Sequence, residues 1–349
     1  MTDTLQAGGA RPAEEHSAVE ARTVEARTEE TRAEEARTGV AGVGLCCLAV
    51  QLLVTDHYLR IGWTIEPPVP LAWWALAVVA ALFGPPLILV GLGGRARRLI
   101  ALPWGRLLTS WVLPGLVAHL LYVTACFVLL HRAGGEFAGI AARDVAGLPA
   151  VLAAPPPELG LLYAVALFPV LAKLSRRVPA ALLVAVLCAA TLWVHTASLL
   201  VFLTVGARLS GAVASAAAPP SRMGLLRRAS VALAGSAVLG VDRVPDHLAA
   251  VLAGLAALPL GLAAAAYAGG HLPEPVGRAA APGYLLLAPA VVLANAELLA
   301  RLSALPPAAQ LAAAVAEPLA LALGLVAATP VLVEVGRRLA GVVLGRMAR

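Results

Sequence analysis

Most of this chain cannot be exposed to water, and that limits the fold more than any motif does. Segments 40–55, 71–92, 107–130 and 179–207 contain no Asp, Glu, Lys or Arg. A soluble domain interrupts its apolar runs with polar residues because it has a surface to solvate. Long uninterrupted runs belong in lipid, where a hydrocarbon core of about 30 Å needs about 20 apolar residues per helix. Backbone amides in lipid have to be satisfied within the segment, so the runs are expected to be helices. A chain that is 60% hydrophobic with a mean hydropathy of +0.86 fits no soluble class. The expected fold class is therefore all-α, a polytopic transmembrane helix bundle of about ten spans (eight to ten).

Charge divides the chain in two. Residues 1–38 carry nine acids and five arginines, net −4, while the whole chain is +6, leaving +10 for the rest. The tail repeats Glu-Ala-Arg-Thr at residues 20, 25 and 35 and has almost no large apolar residues. It is expected to be a disordered charged tail, dispensable for insertion, with residues 39–349 forming the transmembrane helical domain. The late start of the first apolar run argues for a retained anchor and against a cleaved signal. The positive excess falls in short clusters between apolar runs, the pattern of a topology signal and not of a nucleic-acid surface. The bilayer is the expected partner. Cys46, Cys47, Cys126 and Cys188 all lie within apolar runs and match no metal-binding spacing.

The expected spans are 40–56, 71–93, 107–130, 158–172, 179–207, 229–241, 247–268, 283–300 and 308–333. Basic clusters follow the second span (Arg95, Arg97, Arg98, Arg106) and the fourth (Lys173, Arg176, Arg177), surround residues 208–228, and close the chain. The positive-inside rule can place all of them in the cytoplasm only if 179–207 crosses twice, with a break near Trp193–Thr196. That gives ten crossings of the plasma membrane with both termini cytoplasmic. An eight-span arrangement, with one helix over 179–207, puts residues 208–228 outside.

No P-loop, paired acidic motif, HExxH or G-x-S-x-G occurs, and no metal site is expected. The polar exceptions within apolar runs are the candidate functional residues, because ionisable groups at membrane depth are costly. His57 ends the first span and has the chemistry of a general base. His119 and His195 lie deeper, where a lone histidine usually serves packing. Glu297 and Arg301 are four apart and should pair on one helix face. Glu317, inside the last span, has to be neutral, paired or facing a polar cavity.

The order of these features resembles a family, the integral-membrane acyltransferases of the acyltransferase-3 type. The resemblance runs through Leu52-Leu-Val-Thr-Asp-His57, Pro86-Leu-Ile-Leu-Val-Gly-Leu-Gly93 and the basic linker from Arg95 to Arg106. It continues with Leu107-Leu-Thr-Ser-Trp-Val-Leu-Pro114, Leu159-Gly-Leu-Leu-Tyr163, Ser175-Arg-Arg-Val-Pro179 and Phe202-Leu-Thr-Val-Gly206. It implies ten helices and transfer of an acyl group, acetyl by preference, from acyl-CoA to a hydroxyl of a glycan, lipid-linked sugar or membrane-associated metabolite. It implies His57 as the catalytic residue, a supporting polar cavity drawn from His119, Glu297, Arg301 and Glu317, and CoA-phosphate contacts from Arg95, Arg97 and Arg98. No cofactor stays bound, acyl-CoA being the donor substrate. Family members usually carry a basic residue about one span ahead of the histidine, and none lies between Thr38 and His57 here. That departure keeps open a second reading, a non-catalytic polytopic protein: a degenerate relative, a permease-like protein or an assembly subunit.

Overall fold

A computed structural model describes residues 38–51, 70–133, 136–137, 140–141, 149, 159–241, 243–269 and 271–347. The described chain is helical except for turns and one two-residue antiparallel pairing, β1 (Glu136–Phe137) with β2 (Ile140–Ala141). Helix α1 is Thr38–Gln51, and α2 is Pro70–Ile100. A short α3, Trp104–Leu107, leads without a break through a π turn, Leu108–Val112, into α4, Leu113–Ala133. The wide turn has a local cause. Pro114 has no N–H to close the helix on the carbonyl four residues back, and its ring crowds that carbonyl. Thr109 and Ser110 donate their hydroxyls to the carbonyls of Gly105 and Arg106, loosening the same stretch.

Helices α5 (Leu161–Leu174), α6 (Ala180–Ala190) and α7 (Ala197–Arg208) follow. The run 179–207 is thus two helices, broken where the charge argument places the break. Thr191 and Thr196, both buried, flank the turn, and Thr191 donates its hydroxyl to the Cys188 carbonyl at 2.6 Å. At 1.5 Å per residue each arm is roughly 17 Å long, short of the roughly 30 Å hydrocarbon core. Helix α8, Ser210–Ala217, turns 85° away from α7.

Beyond it lie α9 (Arg222–Ser236), α10 (Asp246–Gly269) and α11 (Glu274–Arg278), then α12 (Ala280–Ser303) and α13 (Pro307–Met347). Ser221 caps α9 by accepting from the Gly224 N–H at 3.1 Å. The expected span over 229–241 coincides with the second half of α9 and a 3₁₀ turn, Ala237–Gly240. Among the described residues, four helices are long and apolar enough to cross a membrane: Ala75–Ile100, Trp104–Leu129, Asp246–Ala268 and Ala280–Leu298. A fifth is counted if α7 and α8 together form one bent span.

Helices meet where a side chain is missing. Between apolar helices in lipid there is no hydrophobic drive to associate, so close backbone approach supplies the attraction. Gly93 of α2 faces the Leu203 carbonyl of α7, and Gly206 of α7 faces the Val90 carbonyl of α2; a Cβ at either would overlap that oxygen. Gly44 of α1 meets Gly84 and Ile88 of α2, Gly115 of α4 meets Ala166 of α5, and Gly235 of α9 meets Ala256 of α10. These pairings also give direction. Thr38 lies by Arg95 and Leu48 by Gly84, so α1 and α2 are antiparallel. Trp111 reaches Val165 and His119 packs on Tyr163, so α4 and α5 are antiparallel.

One end of the bundle therefore gathers Arg95, Arg97, Lys173 and Arg208. Arg97 Nε donates to the Ala207 carbonyl at 2.5 Å and its Nη2 to the Ser210 hydroxyl at 2.6 Å. Lys173 Nζ donates to the carbonyls of Ile100 and Leu102 and lies 5.1 Å from the centre of the Trp104 ring. Arg208 donates to the carbonyls of Ser175 and Arg176 at 3.3 Å and of Val178 at 2.8 Å. The C-terminal ends of α2, α5 and α7 thus lie together, each closed by a cation on a neighbour's free carbonyls, where the helix dipole also favours positive charge.

Candidate functional site

Three side chains of helix α4 lie along one line. His119, Tyr122 and Cys126 are three and four residues apart and so share a face. His119 is 1% exposed, its ring tilted 49° against Tyr163 of α5 with centroids 5.4 Å apart. Tyr122 Oη donates to the Leu285 carbonyl of α12 at 2.9 Å, and Cys126 lies within hydrogen-bonding reach of that hydroxyl. Leu285 has a free carbonyl for a definite reason: the residue four further on is Pro289, which has no N–H to return. Trp111 repeats the device. Its Nε1 donates to the Val165 carbonyl of α5 at 3.2 Å, and four residues on from Val165 is Pro169.

Beside this line lies a groove of about 580 Å³ between α4, α12 and α13, bordered by Tyr122, Cys126, Leu129, Leu286, Pro289 and Leu332. Its wall is hydrocarbon apart from a thiol and a hydroxyl already committed to Leu285. Such a cavity suits an alkyl or acyl chain and offers little to a polar ligand.

The residues singled out from the sequence are spread over the molecule. His57 lies outside the described residues. His119 is buried between α4 and α5, as above. Glu297 and Arg301 pair as their spacing requires, Nη2 to Oε2 3.6 Å, with both side chains more than 70% exposed on α12. Glu317 is half-buried on α13, with one carboxylate oxygen shut off from solvent. It stands twelve residues, about 18 Å along the helix, from Thr329, whose methyl meets Gly283. Arg95 donates to the Thr38 hydroxyl at 3.1 Å and Arg97 to Ala207 and Ser210, so both guanidinium groups fasten helices to one another. Arg98 is exposed.

Two features escape a reading by sequence. The first is the pair of proline-freed carbonyls, which lie 54 and 163 residues away in the chain from the Trp111 and Tyr122 that serve them. The second is at the end opposite the basic one. His195, read as a packing residue, is exposed in the turn between α6 and α7 and stacks on His247 at the start of α10, ring centroids 3.7 Å apart and planes 34° to one another. The break in 179–207 is what brings it to the surface. Among the described residues no three His, Cys, Asp or Glu side chains gather as metal ligands.

Fold and site together define an α-helical membrane protein with a lateral apolar groove. Comparison of the chain with protein-family models, with curated proteins and with solved structures finds no match in any of the three.

Proposed function

We propose that the protein is an integral-membrane O-acyltransferase-like enzyme, moving an acyl group from acyl-CoA to a hydroxyl of a glycan, lipid-linked sugar or membrane-associated metabolite. The observation that carries this reading is the groove beside α4, whose hydrocarbon wall suits the lipid part of a membrane-bound substrate. His57 is the proposed base. Its imidazole takes the proton of the acceptor hydroxyl, the oxygen attacks the thioester carbonyl, and the carbon–sulfur bond breaks as the proton passes to the departing CoA thiolate. Helix α1 runs away from the basic end, so the reading requires the acyl group to pass into the bundle from that end. In the proposed topology, ten helices alternate in direction through the plasma membrane: α1, α2, α3 with α4, α5, α6, α7, α9, α10, α12 and α13. Both termini are then cytoplasmic.

One observation favours the second reading, a non-catalytic membrane protein. Arg95 and Arg97, which would meet CoA phosphates, are engaged in holding α1, α2 and α7 together. The two readings separate in one assay. Membranes containing the full chain or His57→Ala are supplied with acetyl-CoA carrying a labelled acetyl group, and label is counted in the lipid and glycan fractions. The expected result is transfer by the wild type and a loss of roughly 10²–10⁴-fold in His57→Ala. Full activity in the variant removes His57 from the site. No transfer by the wild type leaves the non-catalytic reading standing.

A further inference from the structure

We propose that the corner where the end of α2, the start of α3 and the end of α5 meet binds the headgroup of an anionic phospholipid, through Arg106, Arg176 and Arg177. The corner is assembled by Lys173, which donates to the carbonyls of Ile100 and Leu102 and lies over the Trp104 ring. Arg106 follows two residues after that ring, and Arg176 and Arg177 follow in the turn that closes α5. All three arginines are exposed.

The argument for the ligand is the missing counter-charge. Segments 70–133 and 159–241, which build this end of the bundle, contain no Asp or Glu at all. Glu274 of α11, whose neighbour Gly277 meets Thr38 at the same end, is already engaged by Arg278. The helix-end carbonyls are satisfied by Lys173, Arg97 and Arg208, which leaves the outer arginines facing outward. An anion has to come from outside these segments.

The flanks say which anion. Trp104 is 41% exposed and Leu174 is 70% exposed, one on each side of the corner. A tryptophan and a bare leucine next to arginines mark the boundary between hydrocarbon and headgroups, where phosphate is the abundant anion. A zwitterionic lipid brings its own ammonium group, and these segments hold no carboxylate to receive it. A lipid with net negative charge brings none. The acidic tail ahead of Thr38 is the competing source of negative charge, but it has few apolar residues to cover Trp104 and Leu174.

The test is lipid retention by the full chain. Protein reconstituted with phosphatidylcholine and phosphatidylglycerol is re-extracted gently, and the bound lipids are counted by native mass spectrometry. Phosphatidylglycerol should be retained above its share of the bilayer. Arg106→Gln, Arg176→Gln and Arg177→Gln should each weaken retention by roughly fivefold, and salt should weaken it further. Single variants are read separately, so that one failing to fold does not decide the outcome. Arg222→Gln with Arg227→Gln, on α9, should leave retention unchanged; an equal loss there would reduce the effect to net charge and overturn the site. Retention at the bulk ratio would overturn it as well. Retention that appears only after residues 1–37 are removed would give the corner to the tail instead.

Discussion

At the scale of the residue, the bundle is organised by what particular side chains lack. Proline removes a donor and leaves a carbonyl without its helical partner; the π turn supplies Trp111 to one and α4 supplies Tyr122 to another. Tyr122→Phe should therefore cost about 1 kcal/mol in a reversible detergent unfolding titration, the scale of hydrogen bonds between helices in membranes. In a Pro289→Ala background the Leu285 carbonyl regains its own N–H, and the same change should cost markedly less. Equal costs in the two backgrounds would show that the hydroxyl's bond does not answer the proline. Glycine removes a side chain. Gly93→Ala should cost about 1–3 kcal/mol, because the new methyl falls on the backbone oxygen of Leu203, which cannot step aside. Gly211→Ala, with nothing within 4 Å of the added carbon, should be neutral or stabilising by up to about 1 kcal/mol. The same titration compares the two.

At the scale of the element, the α6–α7 hairpin is the unit that depends most on its fastening. Its arms are too short to be held by lipid burial alone. Arg208 closes it by serving three carbonyls of the turn that enters α6. Arg208→Ala should leave those carbonyls bare and speed hydrogen exchange over residues 175–183. Arg208→Lys should recover only part of the protection, since one ammonium cannot span three acceptors as a planar fork does. Unchanged exchange in the alanine variant would mean that packing of α7 on α2 holds the hairpin without it.

At the scale of the molecule, sidedness is the property with the widest consequences. Arg95, Arg97, Lys173 and Arg208 meet at one end of the bundle, and in the topology proposed above, which follows the positive-inside rule, that end is the cytoplasmic one. Position 217, which ends α8, tests the contested crossing. Ala217→Cys in a chain otherwise free of cysteine should resist a membrane-impermeant thiol reagent in intact cells and react once the cells are opened. Labelling from outside would rule out the ten-pass topology and return the eight-span arrangement.

Helical class, membrane location and the position of the break in 179–207 were legible in the sequence, and the reason is local. Lipid forces each apolar run to satisfy its own backbone, and charge clusters declare the ends of runs, so both signals are complete within a short window. The pairing of Glu297 with Arg301 was legible for the same reason, being one turn of one helix. Tertiary structure decided the rest. Apolar runs of Ala, Leu and Val look alike, so nothing in α2 announces that Gly93 will meet Leu203 of α7. A proline shows which carbonyl will be free, but not which distant helix will bring the donor. His119 and His195 looked equivalent as lone histidines in apolar runs. Packing buried the first against Tyr163, and the hairpin turn set the second on the surface beside His247, because burial is a property of neighbours and not of the segment itself.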